Sequence, residues 1–254
     1  MLQKRMKGAD NCVKKRRLMR KLTGMVLLTL CCIVLAAGTF WGVKGYQLYQ
    51  NSIAEVSIEE KVEEIRGQEH FIDYSELSDF YINAVLSVED HRFMKHCGID
   101  PVAICRAAWI DITKMSFEEG GSTITQQLAK NLLFTQEKTI TRKAAEVFAA
   151  FAIEAKYSKE EIFELYVNTI YFGSGYYGIY EAAQGYFGKE PSQLADYEAA
   201  VLAGVPNAPS AYSPDVNSEL AAQRTDQVLR SMVRNHFLTQ EKVDELNVYR
   251  RIQG

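Results

Sequence analysis

The 254-residue chain has only five cysteines, at positions 12, 31, 32, 97 and 105. They are too few for a disulfide framework, and no spacing among them suits a zinc or iron–sulfur site. No stretch alternates apolar and polar residues with the period of a strand. There is no internal repeat and no low-complexity segment. The body also lacks surplus positive charge. Residues 1–21 hold nine Lys or Arg against one Asp, a charge of +8, so the other 233 residues carry −11 of the net −3. A nucleic-acid-binding domain would spread basic residues over its own surface, so no nucleic-acid partner is expected. What remains is a mainly α-helical chain with an acidic body, long enough for about one large domain with a real core.

The basic tail leads into an uncharged run, Leu22 to Val43, bounded by Lys21 and Lys44. As a helix, these 22 residues span roughly 33 Å, enough for a bilayer core. Phe40 and Trp41 sit where aromatic rings favour the headgroup zone. The run is longer than a signal-peptide core, and no small-x-small cleavage site follows it. Leu30 is too bulky a neighbour for Cys31 to read as a lipoprotein cysteine. The excess of Lys and Arg puts residues 1–21 in the cytoplasm and the body outside. The expected organisation is a cytoplasmic tail (1–21), a single-pass transmembrane helix (22–43), a charged juxtamembrane stretch read as a stalk or a short helix (44–72) and an extracytoplasmic domain with a helical tail (73–254). Only Cys97 and Cys105 would then face the outside, and pairing between them is not expected.

Within that domain, apolar residues recur at helical spacing from a cap at Ser75 to about Asp90, so Glu89 falls at a helix end. Asp100-Pro101 is a helix start. Gly120-Gly121 marks a loop. Thr123 with Gln126, and Ser158 with Glu161, are capping boxes that open helices to about Leu132 and Ile170. Free amides at the first of these starts would favour a phosphate oxygen nearby. Another helix is expected over 141–157. Residues 171–189, rich in Gly and aromatics, read as a loop, a short helix and a turn. Helices follow at 192–203, 219–235 and 240–246, with 205–217 kept irregular by proline.

Taken singly, most candidate residues have ordinary explanations. Glu89 is a carboxylate four residues before Phe93, and partial burial would raise its pKa toward the range of a general acid or base. Arg142 and Glu146, and Lys143 and Glu146, have the spacing of helix-surface ion pairs. Lys130 has the position of a cationic helix end. Together, two carboxylates, three cations and a Ser/Thr/Gln-rich helix start suit transfer of a glycosyl group from a phosphorylated sugar. One carboxylate would activate a hydroxyl while the cations hold the leaving phosphate.

Five ordered motifs carry a resemblance. The first comprises Glu89, Asp90, Phe93, His96, Gly98 and Asp100. The second runs from Gly120 through Ser122, Thr123, Gln126, Gln127 and Lys130 to Asn131. The third is Arg142, Lys143 and Glu146. The fourth comprises Glu164, Tyr166, Asn168, Tyr171, Phe172 and Gly173, followed by Tyr177 and Gly178. The fifth comprises Ala203, Gly204, Pro206, Asn207, Pro209, Tyr212 and Pro214. Over residues 75–215 the chain resembles the peptidoglycan glycosyltransferase domain of glycosyltransferase family 51, which has a lysozyme-like helical fold. Cys97, where the family often has a polar or acidic residue, and Val167, in place of a commoner Leu, are mild departures. No Ser-x-x-Lys nucleophile motif follows the fifth motif, so the resemblance is to the monofunctional form.

The resemblance implies polymerisation of lipid II into glycan strands. Glu89 would take the proton of the acceptor's 4-hydroxyl. The oxygen would attack C1 of the undecaprenyl-pyrophosphate-linked strand, inverting an α linkage to β-1,4. Glu146 is implied as the second essential carboxylate, near the donor pyrophosphate and in reach of a divalent cation, Mg or Mn. Lys130, Arg142 and Lys143 would hold pyrophosphate. Ser122, Thr123, Gln126, Gln127 and Asn131 would shape the donor site, with Asp90, Phe93 and His96 supporting Glu89. No organic cofactor is implied. The implied partners are membrane lipid, penicillin-binding transpeptidases and proteins of division or elongation. Apolar residues such as Trp109, Ile110, Ile112, Met115 and Phe117 suit either the membrane interface or the core. Two other readings stay open: a silent lipid II-binding scaffold and a lysozyme-like glycan-cleaving enzyme.

Overall fold

The uncharged run does not end as a helix where charge resumes. In a computed structural model, helix α1 runs unbroken over Leu2–Glu55. The structure describes residues 2–114, 121–135 and 137–253, with side chains from 19 onward except at 20, 108, 111–114 and 248–253. Met115, Phe117, Gly120 and the side chains of Cys12 and Ile112 therefore lie outside the described residues. Eleven further helices follow: α2 Ile58–Arg66, α3 Asp79–Glu89, α4 Pro101–Lys114, α5 Ile124–Leu133, α6 Ile140–Glu154, α7 Lys159–Thr169, α8 Gly178–Phe187, α9 Asp196–Gly204, α10 Pro209–Tyr212, α11 Ser218–Arg234 and α12 Gln240–Gln253. Among the described residues there is no strand, and the only β pairings are the isolated bridges Cys97–Ile99 and Tyr171–Tyr177. The mainly helical class holds, and the domain fits a lysozyme-like transferase fold.

Local chemistry explains most helix starts. The Thr123–Gln126 and Ser158–Glu161 boxes form reciprocally, each hydroxyl accepting from the third helical amide. Asp100 Oδ1 accepts from the amides of Val102 and Ala103 ahead of α4. The cap expected at Ser75 is instead at Ser78, whose hydroxyl accepts from Tyr81 N. The reason lies just upstream. Glu76 accepts the Asp73 amide and closes a 3-10 turn over Tyr74–Glu76. Leu77 then becomes extended and buried, so the helix must restart. The segment 205–217 is less irregular than expected, because Pro206 and Pro209 each sit in the first turn of a short helix.

Residues 44–72, expected as a stalk, are built into the domain instead. Tyr46 packs edge-on against Phe148 of α6 at 5.3 Å between ring centroids. Ile58, Val62 and Ile65 of α2 are core residues. Arg66 bonds Glu161 of α7 at 2.8 Å, and Lys156 pairs with Glu59. The buried Asn168 side chain accepts from Ile72 N and donates to Ile72 O, at 3.0 and 2.9 Å. It thereby replaces the backbone partners this loop residue lacks. The amphipathic pattern that suggested a charged stalk has an apolar face, and burying each such Val or Ile stabilises by about 1.5–3 kcal/mol.

The core centres on α3, α5, α7, α9 and α11. Tyr81 and Val85, Ile124 and Leu128, Phe163 and Tyr166, Ala200 and Leu202, and Val228 and Met232 all join it. Alanines 199, 200 and 203 of α9 allow close approach of α3 and α11 on either side. Outside this core, residues 21–40 of α1 are all exposed, with Met25, Leu28 and Leu35 more than 60% exposed. Over 21–55 this is the one described helix long and apolar enough to cross a membrane.

The Tyr171–Tyr177 loop depends on Gly173. Its φ is +85°, and a Cβ there would lie 1.9 Å from Ser213 Oγ and 2.9 Å from Pro209 O. Gly173→Ala is expected to lower unfolding stability by about 2–3 kcal/mol, read by thermal or denaturant unfolding, because backbone strain and a steric clash add.

Candidate active site

Glu89 is the last residue of α3, so a rigid helix carries its carboxylate to the edge of the core. Its side chain is only 9% exposed. Gln127 Nε2, one turn into α5, donates to Oε2 at 2.8 Å. The Arg224 guanidinium of α11 stands 3.9 Å from Oε1, which is buried and accepts no hydrogen bond from the protein. Burial pushes the Glu89 pKa above the ordinary carboxylate range. The Gln127 bond and the Arg224 charge oppose the rise, Asp90 adds to it, and Lys130 opposes it. The hydroxyls of Tyr81 and Tyr166 are pushed up by burial and by the nearby Glu89 charge. Desolvation of the carboxylate therefore follows from the core around it rather than from Phe93 alone.

A second layer holds this arrangement. Buried Asp90 accepts from His96 Nε2, 2.8 and 3.0 Å from its two oxygens, and from Ile124 N at 3.1 Å. Thr123 Oγ1 donates to Gly98 O at 2.6 Å. The amides of Thr123, Ile124 and Gln126 are thus all taken by protein oxygens. The α5 start does not offer them to a phosphate, contrary to the sequence expectation. Thr123 and Gln126 are buried and fold the loop. Phe93 is fully buried under the Lys159 ammonium, 4.3 Å from the ring centroid. Lys159 also bonds Glu154, which accepts from Thr125 at 2.6 Å.

The cationic cluster assembles on α5 and α6. Glu146 is 1% exposed yet charged on both sides: Arg142 Nε lies 3.1 Å from Oε1 and Lys143 Nζ 2.6 Å from Oε2. Lys143 also donates to Ser122 Oγ at 2.6 Å, and Arg142 to Thr135 O at 3.1 Å. Lys130 lies electrostatically between the two carboxylates. Burial pulls its pKa down, Glu146 raises it, Arg142 and Lys143 lower it, and Glu89 raises it. Among the described residues no three His, Cys, Asp or Glu side chains gather into a metal site. With both Glu146 oxygens held by cations, the donor set does not fit a divalent ion bound by protein alone.

Two clefts flank the Glu89–Gln127 pair and share Asn207. One, of about 410 Å³, is lined by Gln127, Lys130, Asn131, Tyr171, Tyr177 and Asn207 among others. The other, of about 310 Å³, is lined by Glu89, His91, Arg106, Asn207, Arg224 and Arg234 among others. Glu89 faces the second, its partner Gln127 faces the first, and Asn207 borders both. Of the sequence-predicted residues, Glu89, Asp90, Gln127, Lys130 and Asn131 line the clefts, Ser122 joins the Arg142–Lys143–Glu146 cluster, and Thr123, Gln126, Phe93 and His96 lie behind.

Arg224 was missed, and the tail read as plain helix supplies it. Arg224 Nε donates to Gly204 O at 3.3 Å, and the guanidinium lies over the Tyr212 ring at 5.7 Å. A Cβ on Gly204 would come within 2.9 Å of the Arg224 side chain. A signal was present: Arg224 falls among Ala221, Thr225 and Val228 on the buried stripe of α11, where a charge needs a partner.

The Transglycosylase family model matches residues 56–233. The chain belongs to that family. It is 46% identical over 69% of its length to penicillin-binding protein 1A of Aquifex aeolicus, covering 24% of that protein. It is 38% identical over 84% of its length to penicillin-binding protein 2D of Bacillus subtilis, covering 31%. It is 37% identical over 87% of its length to penicillin-binding protein 1A of Escherichia coli, covering 28%. The chain therefore spans a quarter to a third of these relatives.

Because Glu89 is harder to ionise folded than unfolded, it favours folding fully below the unfolded carboxyl range, and that contribution is lost as pH rises through its raised folded value. Glu89→Gln is accordingly expected to melt about 2–4 °C above the parent at pH 7. The difference should close below about pH 4, where the carboxyl is protonated in both states. A melting series across pH checks this.

Proposed function

We propose that the protein is a membrane-anchored peptidoglycan glycosyltransferase that polymerises lipid II. The observation that carries the reading is the buried Glu89 carboxylate, which lines one cation-bearing cleft and is hydrogen-bonded to Gln127, which lines a second. A pyrophosphate leaving group accounts for the Lys130, Arg142 and Lys143 cations, which a glycan-cleaving reaction would leave without a role. The acceptor lipid II would lie on the Arg106–Arg224–Arg234 side. The growing strand would lie along Lys130 and Asn131, its pyrophosphate toward Arg142 and Lys143.

Glu89 then takes the proton of the acceptor 4-hydroxyl. The oxygen attacks C1 of the donor sugar from the face opposite the pyrophosphate, so the α linkage becomes β-1,4. Lys130, Arg142 and Lys143 take up the charge that develops on the leaving pyrophosphate. Glu146, pinned between two of them, keeps their charges from repelling one another. A divalent ion at this site would draw most of its ligands from pyrophosphate oxygens. The exposed apolar length of α1 anchors the chain, with residues 1–21 in the cytoplasm and the domain outside. Exposed Trp109, Val102 and Ile104 of α4 suit the bilayer interface. Penicillin-binding transpeptidases and the division or elongation machinery would cross-link and organise the product.

The decisive experiment incubates full-length protein in liposomes with labelled lipid II and Mg or Mn, then resolves glycan strands by gel with and without a muramidase. Parent protein should yield muramidase-sensitive polymer, and Glu89→Gln about 10²-fold less or none. Folded parent that binds lipid II but makes no polymer would move the scaffold reading to first place. Cleavage of preformed strands would favour the glycan-cleaving one. Arg224→Ala removes a charge that lowers the base's pKa, so the acidic limb of kcat/KM should move to higher pH. The expected loss is about ten-fold at pH 6 and smaller at pH 9, with Arg224→Lys between parent and Ala. A uniform loss across pH would mean that Arg224 serves packing alone.

A further inference from the structure

Gly45 stands two residues past the uncharged run and is the first fully buried residue of α1 among those described. What buries it is the backbone of α6. A Cβ added at Gly45 would lie 2.5 Å from Ala144 Cβ, 2.8 Å from Ala144 C and 2.9 Å from Ala145 N. No side chain fits there without pushing the two helices apart, since two of the three obstacles are main-chain atoms. Tyr46 on Phe148 continues the contact by one residue. By contrast, Gly24, Gly38 and Gly42 of the same helix have nothing within 4 Å of such a Cβ. Among the described glycines of α1, only Gly45 meets this close approach.

The level of Gly45 coincides with the chemistry. Ala144 lies between Arg142 and Glu146 and directly follows Lys143, so the ion cluster sits within two residues, about 3 Å of helical rise, of the docking point. On the other side, Gly45 is about 3 Å of rise beyond Val43, the last residue of the uncharged run. Helix α1 is continuous through this stretch, with no proline or glycine pair to bend it between the apolar run and the dock.

We propose that Gly45 is a positioning residue for the reaction at a bilayer. By letting the anchor helix dock flush on α6, it holds the Arg142–Lys143–Glu146 cluster at the height of the headgroup plane, where a lipid-linked pyrophosphate must lie. The inference rests on the transferase reading and adds to it a depth constraint. In a bilayer the substrate's phosphates are confined to one plane, so a site raised or tilted by a few ångström meets them poorly. In a detergent micelle there is no such plane, and the substrate can approach at any height.

The test compares lipid II polymerisation by parent, Gly45→Leu, Lys44→Pro and Lys44→Ala in liposomes and in micelles. Gly45→Leu separates the helices at the dock. Lys44→Pro leaves the dock intact and kinks the helix just before it, since proline removes a helical hydrogen bond and clashes with the preceding turn. Both should lose about ten-fold or more of kcat/KM in liposomes yet stay within about two-fold of parent in micelles. Lys44→Ala should match the parent in both. Unchanged activity of Gly45→Leu and Lys44→Pro in liposomes would overturn the inference. So would an equal loss in both media for both variants, which would make the contact purely structural. A parent that polymerises in neither medium would instead overturn the transferase reading, and this inference with it.

Discussion

The arrangement depends on keeping one carboxylate largely out of water without leaving it wholly unpaired. Glu89 has a single short hydrogen bond, from Gln127, and a cation at arm's length in Arg224. Two close cationic partners would hold it as an ion too well solvated to take a proton, and none would keep it neutral. The contrast is within the same molecule. Glu146 is as deeply buried, yet both its oxygens lie against cations. The nearest cation stands 3.9 Å from Glu89 but 2.6 and 3.1 Å from the two oxygens of Glu146, and the difference comes from which helix faces meet them.

That balance needs elements far apart in the chain. Helix α3 brings Glu89, α5 brings Gln127 and Lys130, α6 brings Arg142, Lys143 and Glu146, and α11 brings Arg224. The capping box before α5 sets the roll of that helix. Because Asp90 takes the Ile124 amide, the residue beside Glu89 is also the peg on which α5 starts.

Much of this was legible because its causes are local. The Thr123–Gln126 and Ser158–Glu161 boxes and the Asp100-Pro101 start are four-residue statements, and each formed where its residues stand. Ser75 misled because Glu76 closes a tighter turn first, a competition between two equally local signals. The stalk misled for a different reason. Its glutamates lie on one face, while Ile58, Val62 and Ile65 on the other find a partner surface that only the folded domain provides. The amides of the α5 start looked free because Asp90, which takes one of them, is 34 residues away. Arg224 was invisible to motif reading, since its partner lies in another helix, and only its place on an apolar stripe marked it.

The position of Arg224 has a consequence for the order in which the molecule matures. Glu89 and the cation that moderates it are 135 positions apart in the sequence, with Arg224 the later to be made. A chain synthesised only as far as α10 already possesses its apolar N-terminal helix, both carboxylates and the α6 cations. What it lacks is the helix that packs against the α3 end and sets a guanidinium beside Glu89. The surroundings of that carboxylate are therefore completed by one of the last helices to be made rather than by the helix that carries it.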